Sequence, residues 1–233
     1  MNFIRTTSCN LIFNTMTQLL IPKLLDEYVE KYTTPESGTL AALNRETHSK
    51  VPQSIMLSGH VQGATLAMIS QMIRPKNILE IGTFTGYSAI CLAQGLQEGG
   101  RLHTVDINEE LEDMAFRYIC DAGLKDNIVQ YIGKAVEIIP AINESFDLVF
   151  IDADKQNYSL YYDMIFDKVP VGGFILADNV LYDGEVVLPV AEQSKNAGYI
   201  NTFNEKIRTD HRVEHVLLPV RDGIMVIRKT AIV

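Results

Sequence analysis

The 233-residue chain is 47% hydrophobic and 21% charged, which suits one well-buried α/β domain and is short for two. Its formal net charge of -9 argues against a nucleic-acid surface, which needs clustered Lys and Arg, and no apolar run approaches the ~20 residues that span a bilayer. Cys9, Cys91 and Cys120 are too scattered for a disulfide framework or a zinc site and read as thiols of a reducing cytoplasm.

Residues 1–16 read as an extension of the domain. They carry one positive charge, Arg5, and a broken apolar patch at 11–13, a poor signal peptide, so a natural start at Met16 is the expectation. A single domain over 17–233 follows, with helices over 17–73 and a sheet core over 77–229. Ile21, Leu24, Leu25, Tyr28 and Val29 predict a helix over 20–32, with Pro22 in its first turn. A polar helix is expected over 36–49 and a third over 59–73, with Val61, Thr65, Met68 and Met72 on its apolar stripe and Leu66, Ile69 and Ile73 adjoining it. The first two precede the sheet, so they are expected across its ligand edge or in a subunit contact.

The stretch 77–88, N-I-L-E-I-G-T-F-T-G-Y-S, is strand, glycine turn and helix start. Glycines let the backbone approach a ligand, and a helix start offers unpaired N–H groups. Further strands are expected at 102–105, 127–132, 146–151, 174–177, 213–218 and 224–228. Asn108 is the expected N-cap of the helix after the second strand, and Gly123 its stop. Tyr158, Tyr161, Tyr162 and Ile165 share one face of a later helix, as do Ile200, Phe203, Asn204 and Ile207. Strands alternating with helices predict a mostly parallel sheet covered on both sides, and the closing hairpin around Asp222-Gly223 turns the last strand antiparallel.

Ligands of such sheets bind beyond the carboxyl ends of the strands, and four of these ends carry acids or amides: Glu80 to Gly82, Asp106, Asp152, and Asp178-Asn179. Asp106, ending the second strand, suits the two hydroxyls of a ribose and indicates an adenosine-containing cofactor. The turn lacks the G-x-G-x-x-G of a pyrophosphate site, and Glu80 would repel a pyrophosphate but attract an ammonium. The better match is S-adenosylmethionine. Asp152, Asp178 and Asn179 are hard oxygen donors, which select Mg²⁺ or Ca²⁺ over zinc. Lys155, at a helix start beside them, is a candidate base if a cation lowers its pKa.

The segments L-E-I-G-T-F-T-G-Y-S, V-D-I-N, F-I-D-A-D-K-Q-N-Y, G-G-F-I-L-A-D-N-V-L and L-P-V-R-D-G-I resemble the cation-dependent S-adenosylmethionine O-methyltransferases, the family of caffeoyl-CoA O-methyltransferase with catechol O-methyltransferase as a distant cousin. The likeness runs over 56–229. It implies a Rossmann-like class I methyltransferase fold, a seven-stranded mostly parallel sheet with an antiparallel last strand and extra N-terminal helices. By position it implies that Glu80, Gly82, Phe84 and Ser88 line the methionine end of the cofactor. Asp106 would hold the ribose, Ile107 and Ala135 the adenine, and Met56 and Leu57 would close over it. Asp152, Asp178 and Asn179 match the ligands of a divalent cation, Mg²⁺ before Ca²⁺ or Mn²⁺. Asp152 also borders the cofactor, Lys155 matches the proton acceptor, and Asp154 and Tyr158 sit near the substrate. A homodimer is implied as well.

There are departures from the family pattern. Residues 58–63 lack the usual acids before Gln62-Gly63, Lys134 stands where many members have Asp, and Tyr182 where many have Trp. The short 183–196 stretch lacks the Arg and extra aromatics that the plant enzymes use on coenzyme A, which argues against a CoA-thioester acceptor. The expected reaction is methyl transfer to a hydroxyl of a small vicinal diphenol. The alternatives are a methyltransferase for another acceptor class, or a Rossmann-like binding protein or dinucleotide dehydrogenase.

Overall fold

In the computed structural model, residues 22–231 are described. The expected extension over 1–16, with its Met16 start, lies outside them. Three helices lead: α1 Lys23–Tyr32, α2 Gly38–Lys50 and α3 Gly59–Ile73. Ser37 caps α2 by accepting the Leu40 N–H. The alternating part follows as β1 Asn77–Ile81, α4 Tyr87–Ala93, β2 Arg101–Asp106, α5 Glu112–Asp121, β3 Ile128–Ile132, α6 Ala135–Ile138, β4 Leu148–Ile151, α7 Tyr158–Phe166, β5 Phe174–Ala177, α8 Lys195–Thr209, β6 Val213–Leu218 and β7 Ile224–Lys229. Asn108 acts as foreseen, its side chain accepting the Glu110 N–H, with one 3-10 turn, Glu109–Leu111, before α5.

The sheet order is β3-β2-β1-β4-β5-β7-β6. β1 pairs in parallel with β2 and β4, β2 with β3, and β4 with β5, while β7 is antiparallel to both β5 and β6. The last strand therefore reverses as expected, and it does so between its two neighbours rather than at the edge. The chain builds outward from β1 to β3 and then returns to lay β4 on β1's other side. That reversal opens a crevice at the carboxyl ends of β1 and β4.

Strand alternation divides the core into two layers. Leu79, Ile81, Val149, Ile151 and Ile175 pack with Tyr158, Tyr162, Ile200 and Phe203 of α7 and α8. Ile78, Leu102, Leu148, Phe150 and Leu176 face the other way, with Leu66, Leu92 and Ile119 of α3, α4 and α5. Full burial of each such side chain stabilises the fold by about 1.5–3 kcal/mol. Lys229, one residue beyond the expected end of the last strand, is also buried. Its Nζ donates to the carbonyls of Phe166 (2.8 Å) and Val169 (2.9 Å) at the close of α7.

α1 is described from Lys23, after Pro22, and buries none of its residues in the single chain, leaving Leu24, Leu25, Tyr28 and Tyr32 exposed. One expectation fails on the leading helices. In α3, Met68 and Met72 are exposed, and the buried face is Gln62, Gly63, Leu66, Ala67 and Ser70. The cause is the closeness of α4. A Cβ on Gly63 would stand 2.5 Å from the Tyr87 ring and 2.9 Å from Cys91 Sγ, and Ser70 Oγ donates to the Leu92 carbonyl at 2.6 Å. Only small side chains fit that contact, so the most apolar stripe is not the buried one.

Candidate active site

The hydrogen-bond ladder runs one residue past the strand ends. Gly133 N–H donates to the Asp106 carbonyl, Gly82 to Val105, Asp152 to Ile81 and Asp178 to Ile151, at 2.8 to 3.0 Å. Gly133, Asp106, Gly82, Asp152 and Asp178 therefore stand in a row at one sheet edge. Beyond them lies a cavity of about 1360 Å³. That exceeds the ~300–1,000 Å³ of a pocket for one ligand and leaves room for a donor and an acceptor together.

Met56, Leu57, Gly82, Phe84, Ser88, Asp106, Ile107, Ala135, Asp152, Asp154, Lys155, Asp178 and Asn179 all line this cavity, so thirteen of the fifteen residues singled out in the sequence converge on it. Glu80 and Tyr158 do not. Both are fully buried behind its wall.

One half of the cavity is built largely from backbone. Gly82 has φ +105°, and a Cβ there would collide with the carbonyl of Asp152, so β1 and β4 meet at a point only glycine allows. Asp106 ties the turn down: Oδ2 accepts the Phe84 N–H (2.7 Å) and Oδ1 the Asn108 N–H (2.9 Å). Each oxygen keeps a lone pair for a further donor, the pattern a ribose diol requires. Below, Glu80 Oε2 accepts from Thr104 Oγ1 at 2.6 Å, while Oε1 has no partner. Burial raises the Glu80 pKa to about 8 despite the Thr104 hydrogen bond. A buried carboxyl with a free oxygen behind a glycine turn fits a cationic ligand group and not a phosphate.

The other half is made of charged side chains. Lys155 Nζ donates to Tyr158 Oη (2.6 Å), Asn179 Oδ1 (2.7 Å) and Asp152 Oδ1 (3.2 Å). Burial disfavours the ammonium, yet Tyr158, Asp152 and Asp178 outweigh it and hold the Lys155 pKa above its ordinary value. Tyr158, expected near the substrate, stands instead beneath Lys155, its hydroxyl donating towards the carbonyls of Asp178 (3.1 Å) and Ile151 (3.3 Å). Asp178 is 2% exposed, and burial followed by repulsion from Asp152 raises its pKa to about 7. Asp154 accepts from Tyr161 Oη (2.5 Å) and Asn157 Nδ2 (2.6 Å). Among the described residues no group of three His, Cys, Asp or Glu gathers to hold a metal. The expected set brings two carboxylates and an amide, already drawn around one positive charge, and such an all-oxygen site suits a hard cation.

Sequence reasoning assigned no role to Gln62 or Arg221. Gln62 Nε2 donates to Asp178 Oδ2 at 2.6 Å, and Arg221 Nη1 donates to the carbonyls of Leu57 and Ser58. The clue to Gln62 was a polar residue on an apolar helix. The clue to Arg221 was the hairpin itself: with β7 antiparallel, the turn before it must lie at the carboxyl edge of β5. Val180 N–H donates to the Gly223 carbonyl at 3.2 Å and Leu181 to Asp222 at 2.9 Å, which fixes the turn there.

A family model described as O-methyltransferase matches residues 30–230. Caffeoyl-CoA O-methyltransferase 1 of Eucalyptus globulus is 38% identical over 195 residues, covering 79% of this chain and 79% of that protein. Among solved structures, the O-methyltransferase from Bacillus cereus in complex with SAH superposes with a TM-score of 0.80 at 32% identity, over 89% of this chain and 97% of that one. TomG from Streptomyces achromogenes, an O-methyltransferase solved with SAM, superposes with a TM-score of 0.82 at 25% identity, over 89% and 96% of the two chains. The chain belongs to the O-methyltransferase family.

Proposed function

We propose that the protein moves the methyl group of S-adenosylmethionine to one hydroxyl of a small vicinal diphenol, with a divalent cation at Asp152, Asp178 and Asn179. The observation that carries this reading is the cluster at the ends of β4 and β5: two acids, an amide and Lys155 Nζ within 3.2 Å of Asp152 and 2.7 Å of Asn179, beside the glycine turn.

S-adenosylmethionine, bound in the backbone-built half, would supply a methyl carbon activated by the sulfonium. Asp106 would take the ribose hydroxyls, Ile107 and Ala135 would flank the adenine, and Met56 and Leu57 would cover it. Gly82, Phe84 and Ser88 would border the methionine end, with the Glu80 carboxyl behind them, which an incoming ammonium would draw towards its charged form. A hard divalent cation would supply the positive charge that brings a phenol pKa down from ~10 and loosens the hold of Asp152 and Asp178 on the Lys155 proton. Lys155, having released its own proton to solvent, would be positioned to take the hydroxyl proton, with Tyr158 beneath it fixing its direction. The phenolate oxygen would then bond the methyl carbon as the carbon–sulfur bond breaks, with S-adenosylhomocysteine leaving. The wall shared by Gly82 and Asp152 holds donor and acceptor side by side, which contributes proximity.

The carboxylates of Asp154, Asp183 and Asp222 also line this cavity. They support a small acceptor over a coenzyme A ester, whose phosphates they would repel. The test is a mass-spectrometric screen of catechols, caffeate esters including caffeoyl-CoA, and flavonoids with S-adenosylmethionine, in Mg²⁺ and in EDTA. Methylation of small diphenols only in Mg²⁺ is expected. Methylation confined to monophenols, or undiminished in EDTA, would overturn the reading.

A further inference from the structure

Arg221 sits at φ +53° in the turn between β6 and β7, lining the cavity. Its guanidinium serves no carboxylate among the described residues. Nη2 donates to the Ile55 carbonyl (2.9 Å), and Nη1 to the carbonyls of Leu57 and Ser58 (2.6 Å for Ser58) and towards Gln62 Oε1 (3.4 Å). The segment it grips is irregular. Gln53 is left-handed, a single 3-10 turn spans Ser54–Met56, and its local support is two bonds, Met56 N–H to Gln53 O and Leu57 N–H to Ser54 O. Ile55 and Met56 are 67% and 56% exposed over the cavity, while Leu57 is buried. Two large apolar side chains thus line the cavity on a strip held at one end by Leu57 and along its carbonyls by one arginine.

Gln62 carries the contact further. It is 1% exposed, its amide nitrogen donates to Asp178 Oδ2, and its amide oxygen faces Arg221. The run Asp178, Gln62, Arg221 and residues 55–58 links the acceptor half to the strip that the cofactor reading lays over the donor. We propose that Arg221 is a positioning residue that latches residues 55–58 over the bound cofactor, and that Gln62 ties this latch to Asp178. This rests on the cofactor reading given above. A carbonyl cage needs the forked, multi-donor geometry of guanidinium, which a lysine ammonium does not reproduce.

The test is calorimetric binding of S-adenosylhomocysteine together with backbone hydrogen exchange. Binding to the native protein checks the cofactor reading, and only the difference between native and variant proteins checks the latch. Arg221→Met is expected to weaken binding 10- to 100-fold and to speed exchange at 54–58 without altering exchange in β1 and β4. Arg221→Lys should fall between the two, and it provides the readout if the methionine variant does not fold. KM for S-adenosylmethionine should rise more than kcat falls. Gln62→Met should weaken binding less, and the double variant should lose less than the product of the two single losses. Native affinity with native exchange at 54–58 in both Arg221 variants would overturn the latch, and fully multiplicative losses would overturn its link to Asp178.

Discussion

The two halves of the cavity solve the problem of holding a ligand in opposite ways. At the ends of β1 and β2, the acids are spent on the protein itself: Asp106 is engaged by two backbone N–H groups and Glu80 is sealed behind the turn. At the ends of β4 and β5, the polar groups hold one another, with Lys155 shared among Tyr158, Asn179 and Asp152. The first half is set by backbone geometry and needs no ligand to be in place. The second is a set of mutually compensating charges, and whatever cation or acceptor enters must replace the role that Lys155 now fills. On the proposed reading, preformed geometry would serve a donor common to every turnover, and exchangeable charge would serve a group that must give up a proton.

The largest way to break this contrast is Asp152→Ala, which removes a carboxylate from the charged half and leaves the backbone of the glycine turn in place. Turnover should fall at least about a thousandfold while S-adenosylhomocysteine affinity changes by less than about threefold, a pairing that initial-rate assays and calorimetry would read. Lys155→Met should come next, with kcat down by roughly 10²–10⁴, the range of a lost acid–base group. Thermal melting of that variant should fall, because Asp152 and Asp178 lose the buried cation between them.

Gly82→Ala strikes where the halves touch. Its methyl would meet the Asp152 carbonyl, and its left-handed backbone would be strained by about 1–2 kcal/mol or more, so both cofactor affinity and melting temperature should drop. If only one of them moves, the halves are more separate than described.

The smallest effect concerns pH. The Glu80 pKa is raised to about 8 in the folded protein against the ordinary 4.5, so the folded state holds the proton more tightly. The stability this gives is complete below about 4.5 and is lost as pH rises through 8, with a slope of at most about 1.4 kcal/mol per pH unit. Asp178, raised to about 7, adds a slope of the same sign. Melting temperature of the ligand-free protein should therefore decline from pH 5 to 8 apart from other titrations. Glu80→Gln should remove part of that decline and leave the part due to Asp178. An identical decline in the variant would mean that Glu80 is ionised throughout.

What could be read from the residues follows the same division. The central strands β1, β4 and β5 are largely apolar runs followed by a glycine or an acid, so the sheet, its row of strand ends and the thirteen singled-out residues that line the cavity were legible in chain order. The buried face of α3 was not, because Gly63 and Ser70 are selected by the approach of α4 and not by hydrophobicity. The insertion of β7 between β5 and β6 was hidden as well, since a hairpin signal says that two strands pair but not which of them joins the sheet. Tyr158 was assigned by position in a motif, and only packing reveals that it supports Lys155 from below. Gln62 and Arg221 act over separations of 116 and more than 150 residues, a distance at which no local pattern carries a signal.

The central claim, that the donor half is preformed while the acceptor half needs a cation, is tested most directly by titrating catechol into protein saturated with S-adenosylhomocysteine, once in Mg²⁺ and once in EDTA. Saturable heat in Mg²⁺ and none in EDTA is the result the account predicts. Equal catechol affinity under both conditions would contradict it.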